Sequence, residues 1–282
     1  MKVLVSGATG FIGQYVIKNL LLRPNIEVIA TARSLSKANN LEFYDKVDFV
    51  KIDLSLPCQD VFRKLGQPDV MIHLAWDGLP NYGSIFHINK NLVNNILFIN
   101  AMIESGLKDL TVTGTCLEYG MVEGELSESM ITDPVNPYSI AKDSLRKFIQ
   151  ALSLTPGHSF SFKWLRLFYM YGEGQSDNSL FSQINAAILR KDHEFNMSRG
   201  EQQRDFQHVT TVANQIVECS LQKKVDGVIN CCKGEPITVK EFIEDYLREN
   251  HYKLKLKLGF YPYSIFESMA FWGDNTKLRG VF

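Results

Sequence analysis

Apolar residues fall along the first two-thirds of the chain in two alternating rhythms. Short dense runs, "KVLVSG" (2–7), "IEVIATA" (26–32), "VDFVKIDL" (47–54), "DVMIHLA" (69–75), "LTVTGT" (110–115) and "SFKWLRLFYMYG" (161–172), have the length and β-branched content of strands. Between them, 11–22, 85–105 and 138–154 carry apolar positions at helical spacing. Such alternation predicts parallel strands with helices on both faces of the sheet. Strands that are apolar on both sides fit burial from both faces. The last third is less regular: 179–190, 211–222 and 238–250 are expected as helices and 227–232 as a strand. No Gly/Ser-rich or Pro-rich linker divides the chain. The expected fold class is therefore α/β, a doubly wound parallel sheet over residues 1–172 with a segment near 205–232 returning to it. A smaller, partly interlaced α/β part is expected mostly from 173–282.

Composition narrows the classes. A 45% hydrophobic, 22% charged chain of 282 residues with net charge −1 can bury a sizeable core. Near-neutral charge offers nothing to draw it to nucleic acid or an anionic membrane. The basic stretch "YKLKLKLG" (252–259) alternates Lys with Leu, as a half-buried strand does. Five cysteines without paired spacing read as the reduced thiols of a cytoplasmic protein. Six scattered histidines make no metal-binding motif, so no metal is expected. The apolar run at the N-terminus is too short for a signal segment, and no run reaches the ~18 residues of a membrane span.

The first candidate chemistry is "SGATGFIG" (6–13), between the first strand and the first helix. Gly7 permits a tight turn, Gly10 a close backbone approach to a pyrophosphate, and Gly13 close packing of helix on sheet. The helix N-terminus offers N–H groups and a favourable dipole to phosphates. Gly7, Thr9, Gly10, Phe11, Ile12 and Gly13 are thus candidate dinucleotide contacts. An NAD site carries an acid at the end of the second strand, about 20 residues on, for the ribose 2′-hydroxyl. This chain has "ATARS" there instead. Arg33 and Ser34 can hold a 2′-phosphate, so NADP(H) is favoured over NAD(H); the plain alternative is a solvated loop arginine.

The second is "NPYSIAKD" (136–143). Residues four apart share a helix face, which sets Lys142 beside Tyr138. A nearby ammonium favours the phenolate, and a phenol so tuned can exchange a proton with an alcohol or a forming alkoxide. Lys142 can also bond the nicotinamide ribose. Thr115, ending the strand before, can hydrogen-bond the reacting oxygen. Each member alone has an ordinary explanation: a half-buried Tyr, a surface Lys, a strand Thr. Their order behind the glycine loop is what joins them.

"GATGFIG", "DL" (53–54), "HLA" (73–75), "TGTCLEYG" (113–120), "PYSIAKD" (137–143), "LRLFYMYGEGQ" (165–175) and "RDFQHV" (204–209) together resemble the extended short-chain dehydrogenases/reductases that act on nucleotide sugars, over residues 2 to about 250. The resemblance implies a Rossmann-type fold and a nucleotide-sugar substrate, with Thr115, Tyr138 and Lys142 as the catalytic set. It implies that Asp53 and Leu54 flank the adenine and that Leu74 and Ala75 line the dinucleotide path. Arg204 is implied to grip the sugar diphosphate, with Asn178 as a softer candidate; an ion pair with Asp205 is the other reading of Arg204. A homodimer through helices 85–105 and 138–154 is also implied, although an apolar face there fits internal packing equally well. Related 4,6-dehydratases place an Asp–Glu pair after the hydroxyl residue. Here those places are Cys116 and Leu117, which do no carboxylate acid–base work. Tyr169 stands where many relatives have Asn, and "WDGLPNYG" (76–83) suits a sugar-facing loop. The expected function is reduction of the C4 ketone of a nucleotide-linked 4-keto-6-deoxyhexose by NADPH. The alternatives are an NAD-dependent nucleotide-sugar 4-epimerase and a non-catalytic dinucleotide sensor.

Overall fold

A computed structural model describes residues 1–56, 60–263 and 268–282. Cys58, counted above among the thiols, lies outside the described residues; Cys116, Cys219, Cys231 and Cys232 are buried free thiols. The core is a seven-stranded sheet built from β1 (Lys2–Ser6), β2 (Glu27–Ala32), β3 (Asp48–Lys51), β4 (Val70–His73), β5 (Asp109–Thr115), β6 (Ser161–Leu167) and β7 (Gly227–Cys231). Their order is β7-β6-β5-β4-β1-β2-β3, all parallel. This is the doubly wound Rossmann arrangement, in which the winding reverses between β1 and β4 and opens a crevice beyond the strand C-termini.

Alternation along each strand feeds two apolar layers. Val3, Val5, Val28, Ala30, Val70 and Ile72 point to one face, onto Val16, Ile17 and Leu20 of α1 (Phe11–Leu20) and Val212, Ile216 and Val217 of α5 (Val209–Leu221). Leu4, Ile29 and Met71, one residue out of phase, meet the other layer. There they pack on Phe98, Ile99 and Met102 of α2 (Val93–Glu104) and Leu145 and Ile149 of α3 (Pro137–Ser153). Farther along, α4 (Leu180–Leu189) and α6 (Val239–Glu249) share a smaller core of Ile184, Met197, Ile243 and Leu247.

Three expected elements differ. The helix expected over 85–105 begins as a wider π turn, His87–Leu92, and becomes α-helical at Val93. The strand expected over 161–172 leaves the sheet after Leu167, because Phe168 turns into a separate aromatic cluster with Tyr119 and Phe271. Tyr169–Tyr171 then pairs with Phe206–His208 instead. The Lys/Leu stretch forms only Lys255–Lys257, with Leu256 turned in and both lysines out, beside Glu194–Asn196. Among the described residues no helix is long and apolar enough to cross a membrane.

Candidate active site

Two cavities meet over the crevice, of about 840 Å3 and about 330 Å3, and both are lined by Gly7, Gly10, Leu74 and Trp76. The glycine loop determines where they meet. Gly7 has φ +73°, and a Cβ there would lie 2.8 Å from the backbone N of Ala75. A Cβ on Gly13 would lie 2.2 Å from the Gly7 carbonyl oxygen, so only glycine lets α1 start this close to β1. Gly10 caps α1 without a side-chain hydrogen bond. Phe11, Ile12 and Gly13, the first turn, line the larger cavity, where backbone N–H groups at a helix start suit a phosphate. A dinucleotide pyrophosphate fits this cradle.

Thr9, Arg33, Asp53, Leu54 and Ala75 line the smaller cavity. Hydrogen bonds from the Ser55 N–H and hydroxyl, helped by the charges of Arg33 and Lys90, hold the Asp53 carboxyl below the ordinary carboxylate range. Ser34 stands apart: its hydroxyl meets that of Ser36 at 2.7 Å, at the start of a short helix. Arg33 is already engaged, in a two-pronged ion pair with Asp77. Arg33 and Ser34, expected to act together on a 2′-phosphate, thus meet separate partners here, Asp77 and Ser36.

In the larger cavity the structure brings together Thr115, Tyr138, Lys142, Asn178 and Arg204. Asn136 caps α3 by accepting from the Ser139 N–H at 3.0 Å, with Pro137 in the first turn, and this starts the helix one residue before Tyr138. The Tyr138 N–H reaches back to the Tyr82 carbonyl at 3.1 Å, tying α3 to the 76–83 loop. Trp76, Tyr82 and His87 surround the phenol, with ring centroids 6.0, 5.3 and 5.4 Å away. Burial pushes the Tyr138 hydroxyl well above its ordinary value, and its hydrogen bond with Thr115 pulls only weakly the other way.

The tuning expected between Lys142 and Tyr138 is absent from this geometry. The Lys142 amine donates to the Thr113 carbonyl at 2.8 Å and sits 4.0 Å over the Trp76 ring. Burial brings it down to about 7. Thr115 accepts the Leu117 N–H at 3.2 Å, and its hydroxyl also meets the Tyr138 phenol.

The carboxylate that follows in sequence, Glu118, does not replace the missing dehydratase acid. It is fully buried, accepts the Thr115 N–H at 2.9 Å and the Trp164 indole N–H at 3.0 Å, and pairs with Arg166 at 2.8 Å. Cys116 lines the cavity beside it but is only 5% exposed.

Arg204, 2% exposed, donates to the carbonyls of Gln203 (2.8 Å), Ser268 (2.9 Å) and Met269 (3.2 Å) and lies 4.6 Å from the Phe271 ring. The Asp205 carboxylate instead accepts the N–H groups of Lys233 (2.8 Å) and Gly234 (2.7 Å). Tyr169 stands 5.3 Å from the Arg204 guanidinium, so the residue expected to alter the pocket does line it there. Asn178 is exposed at the rim.

Sequence reasoning missed two groups. The far end of the larger cavity is aromatic: Phe206 stacks on Phe242 at 4.2 Å, beside Tyr171, Phe181 and Tyr246. The four-residue spacing of Phe242 and Tyr246 on α6 was an available signal. The other group is a buried chain under the glycine loop, in which Ser6 meets His73 Nδ1 at 2.8 Å and Asn95 meets His73 Nε2 at 2.5 Å. Burial brings His73 down to about 4, so the ring is neutral there. The "HLA" stretch (73–75) contains His73 but gives it no role.

The model of the "NAD dependent epimerase/dehydratase family" matches residues 3–232. A dTDP-6-deoxy-L-talose 4-dehydrogenase (NAD(+)) of Aggregatibacter actinomycetemcomitans is 31% identical over 275 residues, covering 97% of this chain and 99% of its own. A GDP-6-deoxy-D-talose 4-dehydrogenase of the same organism is 26% identical over 289 residues, covering 100% of this chain and 91% of its own. The solved structure of MoeE5 in complex with UDP-glucuronic acid and NAD superposes with TM-score 0.85 at 23% identity, covering 100% of this chain and 92% of that one.

Proposed function

The chain belongs to the NAD dependent epimerase/dehydratase family, and on that premise we propose that it is a nicotinamide-dependent oxidoreductase acting at C4 of a nucleotide-linked 6-deoxyhexose. The reaction proposed is reduction of the C4 ketone, the reverse of the oxidation for which the deoxytalose relatives are named. The observation that carries it is the convergence of Thr115, Tyr138 and Lys142 with the glycine loop on one cavity of about 840 Å3. That volume suits a large bipartite ligand.

The dinucleotide, when bound, supplies the hydride. Tyr138 Oη holds the proton that joins the sugar C4 oxygen. Thr115 Oγ1, anchored on one lone pair by the Leu117 N–H, hydrogen-bonds the same oxygen once it lies beside the phenol. Lys142, with one donor on Thr113, has donors left for the nicotinamide ribose. Tyr138 is only 7% exposed, which limits water at the exchange. The turned-in Glu118 and the apolar Cys116–Leu117 pair argue against dehydration. The aromatic wall of Phe206, Phe242 and Tyr246 suits the nucleotide base, and Arg204 and Asn178 flank the path between base and sugar.

On this reading residues 1–172, with 205–232 returning to them, hold the dinucleotide, and 173–282 mostly hold the sugar nucleotide. A homodimer through α2 and α3 is supported by Val93, Leu97 and Ile140, which are apolar and exposed.

The test is to offer dTDP-, GDP-, CDP- and UDP-4-keto-6-deoxyhexoses with NADH and with NADPH and follow nicotinamide absorbance. Nicotinamide oxidation with one of them is expected. Tyr138→Phe should lower kcat by about 10²–10⁴-fold while dinucleotide binding stays within a few-fold. An isomerised sugar without net nicotinamide change would make the enzyme an epimerase. An unchanged kcat in Tyr138→Phe would remove the proton role.

A further inference from the structure

We propose that Asp77 sets the choice of dinucleotide, by holding Arg33 in an ion pair across the mouth of the smaller cavity and so opposing a 2′-phosphate. The inference rests on the reading above only for the presence of a dinucleotide. The end of β2 is where such a fold meets the adenosine ribose, through an acid that bonds its 2′-hydroxyl. This chain has Arg33 there. The carboxylate comes instead from the loop after β4, 44 residues away in sequence.

The pair is two-pronged: Arg33 Nη1 donates to Asp77 Oδ2 at 2.5 Å and Nη2 to Oδ1 at 2.8 Å. Both residues line the cavity that also holds Asp53, Thr9 and Ala75. Asp77 is held in place from behind, since the Asn91 amide donates to its backbone carbonyl at 2.8 Å. The charged side chains lining this cavity are Arg33 and Lys90 against Asp53 and Asp77, which sum to zero. A 2′-phosphate brings a charge of about −2 near neutral pH. It must displace Asp77 from the guanidinium and then stand beside the freed carboxylate. A 2′-hydroxyl brings no charge, and a carboxylate already paired with arginine keeps lone pairs to accept its proton. The arginine that favours NADP(H) when read alone is thus matched by a partner that favours NAD(H).

The experiment titrates NADH and NADPH separately, by nicotinamide fluorescence and without any sugar, into the wild-type protein and into Asp77→Asn and Arg33→Ala. Wild type should bind NADH more tightly. Asp77→Asn should move the NADPH/NADH affinity ratio toward NADPH by about tenfold, chiefly by tightening NADPH. Arg33→Ala should move it the other way, because Asp77 then faces the phosphate unpaired. Both side chains are about half exposed, so neither change should perturb folding. A ratio unmoved by Asp77→Asn, or a wild type that prefers NADPH, overturns the inference. Failure to reduce any sugar, with these ratios as expected, overturns the sugar reading and leaves the inference standing. A protein that binds neither dinucleotide overturns both.

Discussion

Replacing Lys142 by methionine removes a charge that the fold buries at a cost. Lys142 is only 3% exposed, and burial brings its amine down from 10.5 to about 7. At about 1.4 kcal/mol per pKa unit, that fall corresponds to about 5 kcal/mol of destabilisation wherever both folded and unfolded chains carry the proton, which is below pH 7. Between about pH 7 and 10.5 the unfolded chain binds the proton and the folded one does not. Wild-type stability therefore rises with pH through that window, by about 1.4 kcal/mol per unit from this residue. Methionine has no such dependence but leaves the Thr113 carbonyl, now bonded at 2.8 Å, without its donor, costing about 1–3 kcal/mol. The variant should be more stable than wild type by about 2–4 kcal/mol at pH 6, about equal near pH 9, and less stable above that. Urea unfolding of both proteins at pH 6, 7.5 and 9 measures the difference. A difference that does not change with pH would show that Lys142 does not titrate inside that window in the folded protein, and the account of the buried amine would fail.

Gly13→Ala places a Cβ 2.2 Å from the Gly7 carbonyl, a backbone atom that cannot rotate away. It should cost about 1–3 kcal/mol in thermal unfolding and abolish dinucleotide binding in the same titration that follows NADH. Glu118→Gln removes the partner of the buried Arg166 and should destabilise by about 3–5 kcal/mol in urea; a mild effect would mean that the pair is not held dry.

The sheet and the glycine loop were legible because their signals are local. A strand that is apolar on every residue and a turn that needs glycine announce themselves within a dozen positions. Tyr138 and Lys142 were legible for the same reason, one helical turn apart. What the pair does was not, because the surroundings of Lys142 come from Thr113 and Trp76, on β5 and the loop after β4. Arg33 is the same case: its partner lies 44 residues on. Arg204 is implied as a diphosphate ligand by its motif, but its hydrogen bonds to the carbonyls of 268 and 269 depend on a segment more than sixty residues away. Residues whose role depends on a distant neighbour are those a linear pattern describes least well.

The seventh strand joins the sheet only after the chain has left it for some sixty residues, from Leu167 to Gly227. Its neighbour β6 would otherwise end the sheet with a bare row of backbone donors and acceptors, and the helix before it fills the layer beside β1. A ribosome that has made only the first 172 residues therefore holds six of the seven strands, with β6 at the open edge. That edge is covered only once synthesis passes residue 231, and until then it is the surface a chaperone would have reason to cover.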